Sequence, residues 1–143
     1  HPEGAGAILG MKWALEDADL TPEDVDYLNP HATSTPVGDE SEMKAVSRFF
    51  GDHIDKLHIS ATKSATGHLL GGAGAIEAII SIKAIQEGII PPTINTLTID
   101  PTLPQGLNIV VGNKMPKKIQ VAMSNTFGFG GHNATAVFKK VEG

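Results

Sequence analysis

The stretch best suited to chemistry is residues 62–74, where lysine, histidine and hydroxyl side chains precede a glycine-rich turn. Lys63 and His68 lie five residues apart, and a helix predicted over residues 75–86 directs its N-terminus toward them. A helix N-terminus carries partial positive charge and free N–H groups, so it attracts anions and disfavours protonation of a nearby imidazole. The pattern indicates a site for a carboxylate or a developing oxyanion. A glycine-rich turn also serves simple packing, and the stretch alone leaves both interpretations open.

A second polar loop is predicted over residues 29–39, which contain two prolines, a histidine and three hydroxyl side chains. This composition disfavours a helix or a central strand, and it is typical of a loop at a strand end, where catalytic groups are often placed. His31, Thr33 and Thr35 could position a polar substrate there. The alternative is that these side chains only satisfy the loop backbone.

Residues 125–133 form a third candidate loop, in which three glycines alternate with Phe127 and Phe129. Flexible backbone beside bulky rings suits a segment that exposes N–H groups and moves a ring into or out of a pocket. A long hairpin turn would use the same glycines.

Glu77 interrupts a helix that is otherwise apolar almost all round. A carboxylate buried there is costly unless it is paired, and because Glu77 lies about one turn from the Lys63–His68 loop, a lysine partner is plausible. Exposure on a single polar stripe of the helix is the other interpretation.

The hydrophobic periodicity alternates helices with strands, which predicts an α/β layered domain. Asp39 is expected to cap the second helix, whereas His53 and His58 lie outside any polar constellation and are expected at the surface. Helices are predicted at residues 3–19, 39–50 and 75–86, and strands at residues 25–29, 57–60, 108–112, 119–124 and 134–141.

The composition restricts the classes of protein that fit. A chain of 143 residues suits one domain, and a net charge of −5 argues against a nucleic-acid-binding module. No apolar run approaches the ~20 residues that span a bilayer, so we expect a soluble, cytoplasmic protein. The absence of cysteine excludes disulfides, thiolate metal sites and a cysteine nucleophile within these residues. The first residue is not Met, which suggests a piece of a longer protein.

Three motifs carry a resemblance to a known family. They are His-Ala-Thr-Ser-Thr-Pro-x-Gly-Asp from residue 31, Thr-Lys-Ser-x-Thr-Gly-His-Leu-Leu-Gly from residue 62, and Ser-Asn-x-Phe-Gly-Phe-Gly-Gly-x-Asn from residue 124. In this order and spacing, the chain resembles the C-terminal part of a β-ketoacyl-acyl-carrier-protein synthase, an elongating, type II-like condensing enzyme. The resemblance runs from the first helix to Val141 and implies the C-terminal half of a thiolase-like fold, a layered α-β-α arrangement with a mixed sheet.

The resemblance also implies roles for individual residues. His31 and His68 would hydrogen-bond the malonyl thioester carbonyl and stabilise the enolate, while Lys63, paired with Glu77, would order the site. The substrate-binding residues would be Thr33 and Thr35 on the phosphopantetheine arm, the Phe129 backbone N–H in the oxyanion hole with its ring as a gate, and Phe127 as a support for that gate. Pro30, Ala32 and His132 depart from the commonest form of the motifs without removing a catalytic group.

The implied activity is decarboxylative condensation of malonyl-acyl carrier protein with an acyl thioester in fatty acid elongation. The partners would be acyl carrier protein and a second copy of the full-length protein, with no metal and no cofactor beyond the carrier's phosphopantetheine. The nucleophilic cysteine belongs to an N-terminal half outside residues 1–143, so this chain alone should be inactive. A polyketide ketosynthase and a non-catalytic, chain-length-factor-like subunit are the alternatives.

Overall fold

A computed structural model describes residues 4–128 and 130–142. Three short 3₁₀ segments, Pro22–Asp24, Gly51–Asp55 and Leu70–Gly72, lie in the connections between the main elements. The helices are α1 (Ala5–Asp17), α2 (Pro36–Phe50), α3 (Lys63–Thr66) and α4 (Ala73–Glu87). The strands are β1 (Tyr27–Asn29), β2 (His58–Ile59), β3 (Ile89–Ile90), β4 (Asn108–Ile109), β5 (Met115–Pro116), β6 (Val121–Phe127) and β7 (Asn133–Lys139).

The main sheet has the strand order β4-β2-β1-β6-β7. Strands β4, β2, β1 and β6 are parallel, and β7 returns antiparallel to β6. A separate antiparallel pair joins β3 to β5. Strand β5 was not predicted from the sequence pattern. Because the sheet is mixed and helices cover it, the predicted α/β class with a mixed sheet is confirmed.

Alternate residues of the central strands serve two cores, because successive side chains point to opposite faces of a sheet. Leu28 and Met123 pack with α1 and α2 on one face. Tyr27 and Ala122 pack with Ala84 and Ile85 of α4 on the other. The sheet is therefore covered on both faces, and the segments that follow its parallel strands meet at one edge.

The predicted start of α2 at Asp39 is wrong by three residues. The helix begins at Pro36, after Thr35 in an extended conformation. Proline is favoured at the first helical position, because its fixed φ suits the helix and its missing N–H would have no helical partner there. Asp39 lies inside the helix, and its Oδ1 accepts a hydrogen bond from the Ser34 backbone N–H at 3.1 Å.

Residues 62–74 are not one loop as predicted. They contain the four-residue helix α3, a 3₁₀ segment at Leu70–Gly72 and the first turn of α4, which begins at Ala73 rather than at residue 75. Gly67 has φ 72°, a left-handed conformation that suits glycine and ends α3. Lys63 therefore lies in a helical turn, and His68 follows it in the connection to α4.

The third predicted loop is also shorter than expected. Strand β6 continues through Asn125 to Phe127, and β7 starts at Asn133, so Phe127 pairs with Asn133 in the ladder. Backbone hydrogen bonds between β6 and β7 extend as far as Gly128, although the glycines there had favoured a loop. Phe129 lies outside the described residues, so its predicted roles remain predictions.

The prediction that His53 and His58 are surface histidines is wrong. Both are half-buried, and His53 Nε2 lies 2.8 Å from the Val25 carbonyl oxygen. Burial lowers the pKa of His58, and the positive charge of Lys117 adds to that effect. His58 lies in β2, which pairs with β1, and His53 contacts the backbone just before β1, which explains their partial burial.

Candidate active site

The candidate site forms where three neighbouring parallel strands end. β1 lies between β2 and β6, and each is followed by predicted site residues: His31 after β1, Lys63 and His68 after β2, and Phe127 at the end of β6. The carboxyl ends of parallel strands are the usual place for ligand binding in open α/β sheets. Sequence-distant residues are therefore brought together by strand order.

The rings of His31 and His68 are in contact. Their centroids are 5.4 Å apart and their planes meet at 89°. The Phe127 ring lies 5.5 Å from the His31 ring, tilted by 51°. Two imidazoles held edge to face, with an aromatic ring against one of them, can present hydrogen-bond donors to one small acceptor group.

A hydrogen bond assigns the tautomer of His68. The Leu70 backbone N–H donates to His68 Nδ1 at 3.2 Å. In the neutral ring, the proton must then lie on Nε2, which is free to donate to an oxygen of a bound molecule. The His68 side chain belongs to an exposed residue, as a group that meets a substrate should.

Several effects keep the His31 ring neutral. Burial is the largest, the positive charge of Lys63 adds to it, and a protonated His68 would add further, so the pKa of His31 falls to about 4. Its Nδ1 is buried and has no hydrogen-bond partner among the described residues. At pH 7 the imidazole is therefore uncharged and has one N–H to donate.

Lys63 and Glu77 form a buried ion pair. The Lys63 ammonium donates to Glu77 Oε1, and both side chains are at least nine-tenths buried. Burial raises the pKa of Glu77, and the adjacent Lys63 opposes that rise. The predicted contact between the two residues is present, and the exposed-stripe interpretation of Glu77 is wrong. The catalytic role of the pair remains a prediction.

Thr33 and Thr35 lie on the segment between β1 and α2. Thr33 is half-buried, Thr35 is exposed, and their Oγ1 atoms are 3.4 Å apart. Thr35 also lines a cleft of about 640 Å³ whose opposite wall includes Thr93, Leu97 and Asp100. Two adjacent hydroxyls can bind the amide groups of an extended substrate arm, which is the role that the family resemblance implies for them.

Glu42 is a site residue that the sequence analysis missed. Its Oε1 accepts the His31 backbone N–H and its Oε2 accepts the Ala32 backbone N–H, both at 2.8 Å. Burial raises the pKa of Glu42 to about 7, even though these hydrogen bonds favour its charged form. The signal was its position on the helix: Glu42 adjoins Met43 and precedes Val46 by one turn, so it belongs to the buried face.

Metal and membrane sites were also sought. Over residues 4–128 and 130–142, no group of three or more histidine, aspartate or glutamate side chains is arranged to hold a metal ion. Within the same ranges, no helix has the length and apolar character needed to cross a membrane.

Comparison with known proteins gives the class of the chain. Residues 1–97 match the family described as beta-ketoacyl synthase, C-terminal domain. A 3-oxoacyl-[acyl-carrier-protein] synthase 2 from Synechocystis is 48% identical over 141 residues, which is 99% of this chain and 33% of that protein. The chain therefore belongs to the beta-ketoacyl synthase C-terminal domain family.

Solved structures give the same class. One similar structure is a beta-ketoacyl synthase from Burkholderia phymatum, with a TM-score of 0.91 and 36% identity. The match covers 99% of this chain and 34% of that synthase. A type II polyketide ketosynthase, solved in complex with its acyl carrier protein, matches 99% of this chain and 34% of its own length, with a TM-score of 0.93 and 30% identity. The predicted thiolase-like fold is thus confirmed. The chain spans about a third of the length of the relatives that it matches.

Proposed function

We propose that this chain is the C-terminal domain of a β-ketoacyl-acyl-carrier-protein synthase that elongates fatty acids. The observation that carries the proposal is the contact of the His31 and His68 rings, 5.4 Å apart, beside the buried Lys63–Glu77 pair. Two adjacent imidazoles that can each donate an N–H suit the stabilisation of a developing oxyanion. The likeness to 3-oxoacyl-[acyl-carrier-protein] synthase 2 supports the same reaction class.

The proposed reaction starts with an acyl group held as a thioester on a cysteine of the N-terminal half. The malonyl thioester of the carrier then loses carbon dioxide: its C–C bond breaks, and the electron pair moves toward the thioester oxygen as an enolate. His31 and His68 donate hydrogen bonds to that oxygen. The enolate carbon attacks the acyl carbonyl, a new C–C bond forms, and the cysteine thiolate leaves.

The remaining residues bind the substrate and order the site. We assign Thr33 and Thr35 to the phosphopantetheine arm, the Phe129 backbone N–H to the acyl oxyanion hole, and Phe127 to support of the Phe129 gate. Phe127 acts from the end of a paired strand, so it offers a fixed wall beside His31 rather than a mobile one. Lys63, balanced by Glu77, contributes to the electrostatic field that keeps His31 neutral.

The proposed partners are acyl carrier protein and a second copy of the full-length protein, in the cytoplasm. The polyketide ketosynthase complex with its carrier supports a carrier partner. No cofactor is proposed beyond the phosphopantetheine that the carrier brings. The particular acyl carrier protein and the dimer rest on the family resemblance.

Two alternatives make different predictions. A polyketide ketosynthase would share the chemistry, and 30% identity to one such enzyme keeps it as the second candidate. One such ketosynthase was solved bound to a hexaketide, so a polyketide enzyme should extend unreduced polyketide chains, whereas the proposed enzyme should extend saturated acyl chains. A chain-length-factor-like subunit would lack decarboxylation, and the presence of His31, Lys63 and His68 favours the enzyme over that subunit.

The test is the reaction itself, in the full-length protein. Incubation with a saturated acyl-carrier protein and malonyl-carrier protein should give the β-ketoacyl product, extended by two carbons, in a mass spectrum. Residues 1–143 alone should form neither product nor acyl-enzyme, since they contain no cysteine. A full-length protein that releases no carbon dioxide from malonyl-carrier protein would refute the proposal.

A further inference from the structure

Helix α3, which carries Lys63, is too short to be stable without contacts from other segments. Helix α3 is a single turn of four residues, Lys63–Thr66. A turn of this length is far below the ~12 residues at which an isolated helix becomes even marginally stable. The placement of the Lys63 ammonium and of His68 therefore depends on what binds this turn from outside.

A neighbouring segment, residues 93–95, which we call the strap, supplies contacts of this kind in addition to the buried Lys63–Glu77 pair. The Ala61 N–H donates to Thr93 Oγ1 at 3.0 Å, ahead of the turn. Behind Lys63, the Ile94 N–H donates to Ser64 Oγ at 2.9 Å, and Asn95 Nδ2 donates to the Ser64 carbonyl at 2.9 Å. Ser64 Oγ also donates to the Ala61 carbonyl at 2.7 Å. The strap thus binds the chain on both sides of Lys63.

The strap is itself anchored to the sheet. Thr93 bridges Val111 beyond β4, with its N–H donating to the Val110 carbonyl at 2.7 Å and its carbonyl accepting from Gly112 at 2.9 Å. Asn95 has φ 57°, a left-handed conformation that asparagine tolerates better than most residues. In this conformation the Asn95 side-chain amide reaches the Ser64 carbonyl. Asn95 is exposed, so apolar burial does not explain why it adopts this backbone conformation.

We propose that Ser64 and Asn95 are positioning residues of the active site, which fix α3 and thereby the Lys63 ammonium and the His68 imidazole. The proposal rests on the proposed function for its catalytic consequence but not for its structural one. A loop that merely satisfies its own polar groups would bond internally, as Thr96 does when its hydroxyl donates to the Ile94 carbonyl at 3.3 Å. Ser64 and Asn95 instead join two separate segments.

The test compares Asn95→Gly with Thr96→Ala in the full-length protein. Glycine adopts the left-handed backbone of Asn95 and removes its side-chain amide, while Thr96→Ala deletes a hydroxyl that bonds only to the nearby Ile94 carbonyl. Ser64→Ala, which removes both hydroxyl bonds, is the second variant. Amide hydrogen exchange of Ala65, Thr66 and Gly67, whose N–H groups close the α3 turn, reports on the structure without any assay of activity.

We expect Asn95→Gly and Ser64→Ala to accelerate exchange in α3 and to slow malonyl decarboxylation by about tenfold to a hundredfold. Acylation of the cysteine and the melting temperature should change little, and Thr96→Ala should match wild type.

Two results would overturn the proposal: α3 exchange in both variants equal to that in Thr96→Ala, or an equal loss of decarboxylation and acylation. If Asn95→Gly does not fold, Ser64→Ala decides by the same two measurements. If wild type releases no carbon dioxide, but α3 exchanges faster in Asn95→Gly and Ser64→Ala than in wild type, the proposed function is refuted. The structural role of the strap is then still supported.

Discussion

At the scale of single residues, charge and burial set the properties of the site more than residue identity does. Glu42 and His31 are joined through a backbone N–H, and their pKa values move in opposite directions: to about 7 for the carboxyl and to about 4 for the imidazole. Burial is the main cause in both, because it favours the neutral form of each group. Near neutral pH, the segment that carries His31 is therefore held by a carboxylate that is close to its own titration point.

Replacing Glu42 by glutamine should remove a pH dependence of stability. The folded pKa lies above the usual value of 4.5, so the stabilising contribution of the protonated group is complete below pH 4.5 and is lost as pH rises through about 7. Urea unfolding at several pH values should therefore show the Glu42→Gln variant gaining on wild type across that window. Glu40→Gln, at an exposed position on the same helix that pairs with Lys44, is the control. Parallel pH profiles for Glu42→Gln and wild type would contradict the account.

The His31 ring should stay neutral well below pH 6.5. NMR shifts of its ring carbons are expected to be constant from pH 8 to about 5 and to change only near pH 4. Since the folded pKa is depressed, the stability that this histidine contributes is complete above pH 6.5 and is lost as pH falls through about 4. A midpoint at 6.5 would show that the ring is solvated and not shielded by its neighbours.

At the scale of elements, the buried Lys63–Glu77 pair links α3 to α4. Removal of one partner alone should cost much stability. Lys63→Met should destabilise the protein by about 3 to 5 kcal/mol, because it leaves an unpaired carboxylate in the interior. The double variant with Glu77→Met should regain much of that stability while remaining impaired in condensation. Lys44→Met, at the exposed pair with Glu40, should cost under about 1 kcal/mol. Equal costs for the two lysines in thermal or urea unfolding would refute the buried-pair account.

Element type was largely readable from the sequence, and element ends were not. The periodicity of residues 3–19 and the apolar helix after Gly74 predicted α1 and α4, because amphipathic and fully apolar patterns are strong signals. Proline at residue 36 was read as a breaker although it starts α2, and the glycines after Asn125 hid the last part of β6. The three motif loops were predicted as a site, whereas Glu42 and the strap depend on tertiary contacts that no local pattern contains.

At the scale of the whole molecule, one face of the chain exposes large apolar side chains. Ile79 and Ile82 on α4 are 59% and 39% exposed, whereas Ala84 and Ile85 of the same helix are buried against the sheet. The relatives are about three times as long as this chain, and we expect part of their additional length to pack on this face in the full-length protein. Exposed apolar surface of this kind favours association.

Residues 1–143 expressed alone should therefore self-associate and bind a hydrophobic dye. Co-expression with the N-terminal half should suppress both signals, and Ile79→Lys with Ile82→Lys should reduce them in the isolated chain. Light scattering and dye fluorescence provide the measurement. A monomeric chain that does not bind dye would contradict the prediction that a partner half has been removed from this face.

The most direct test of the central claim separates the two partial reactions in the full-length protein. His31→Ala and His68→Ala should each abolish release of carbon dioxide from malonyl-carrier protein, because each removes a hydrogen-bond donor from the enolate oxygen. Both variants should still form the acyl-enzyme, since the nucleophile lies in the other half. Decarboxylation at the wild-type rate in both variants would contradict the account and remove the two histidines from the reaction.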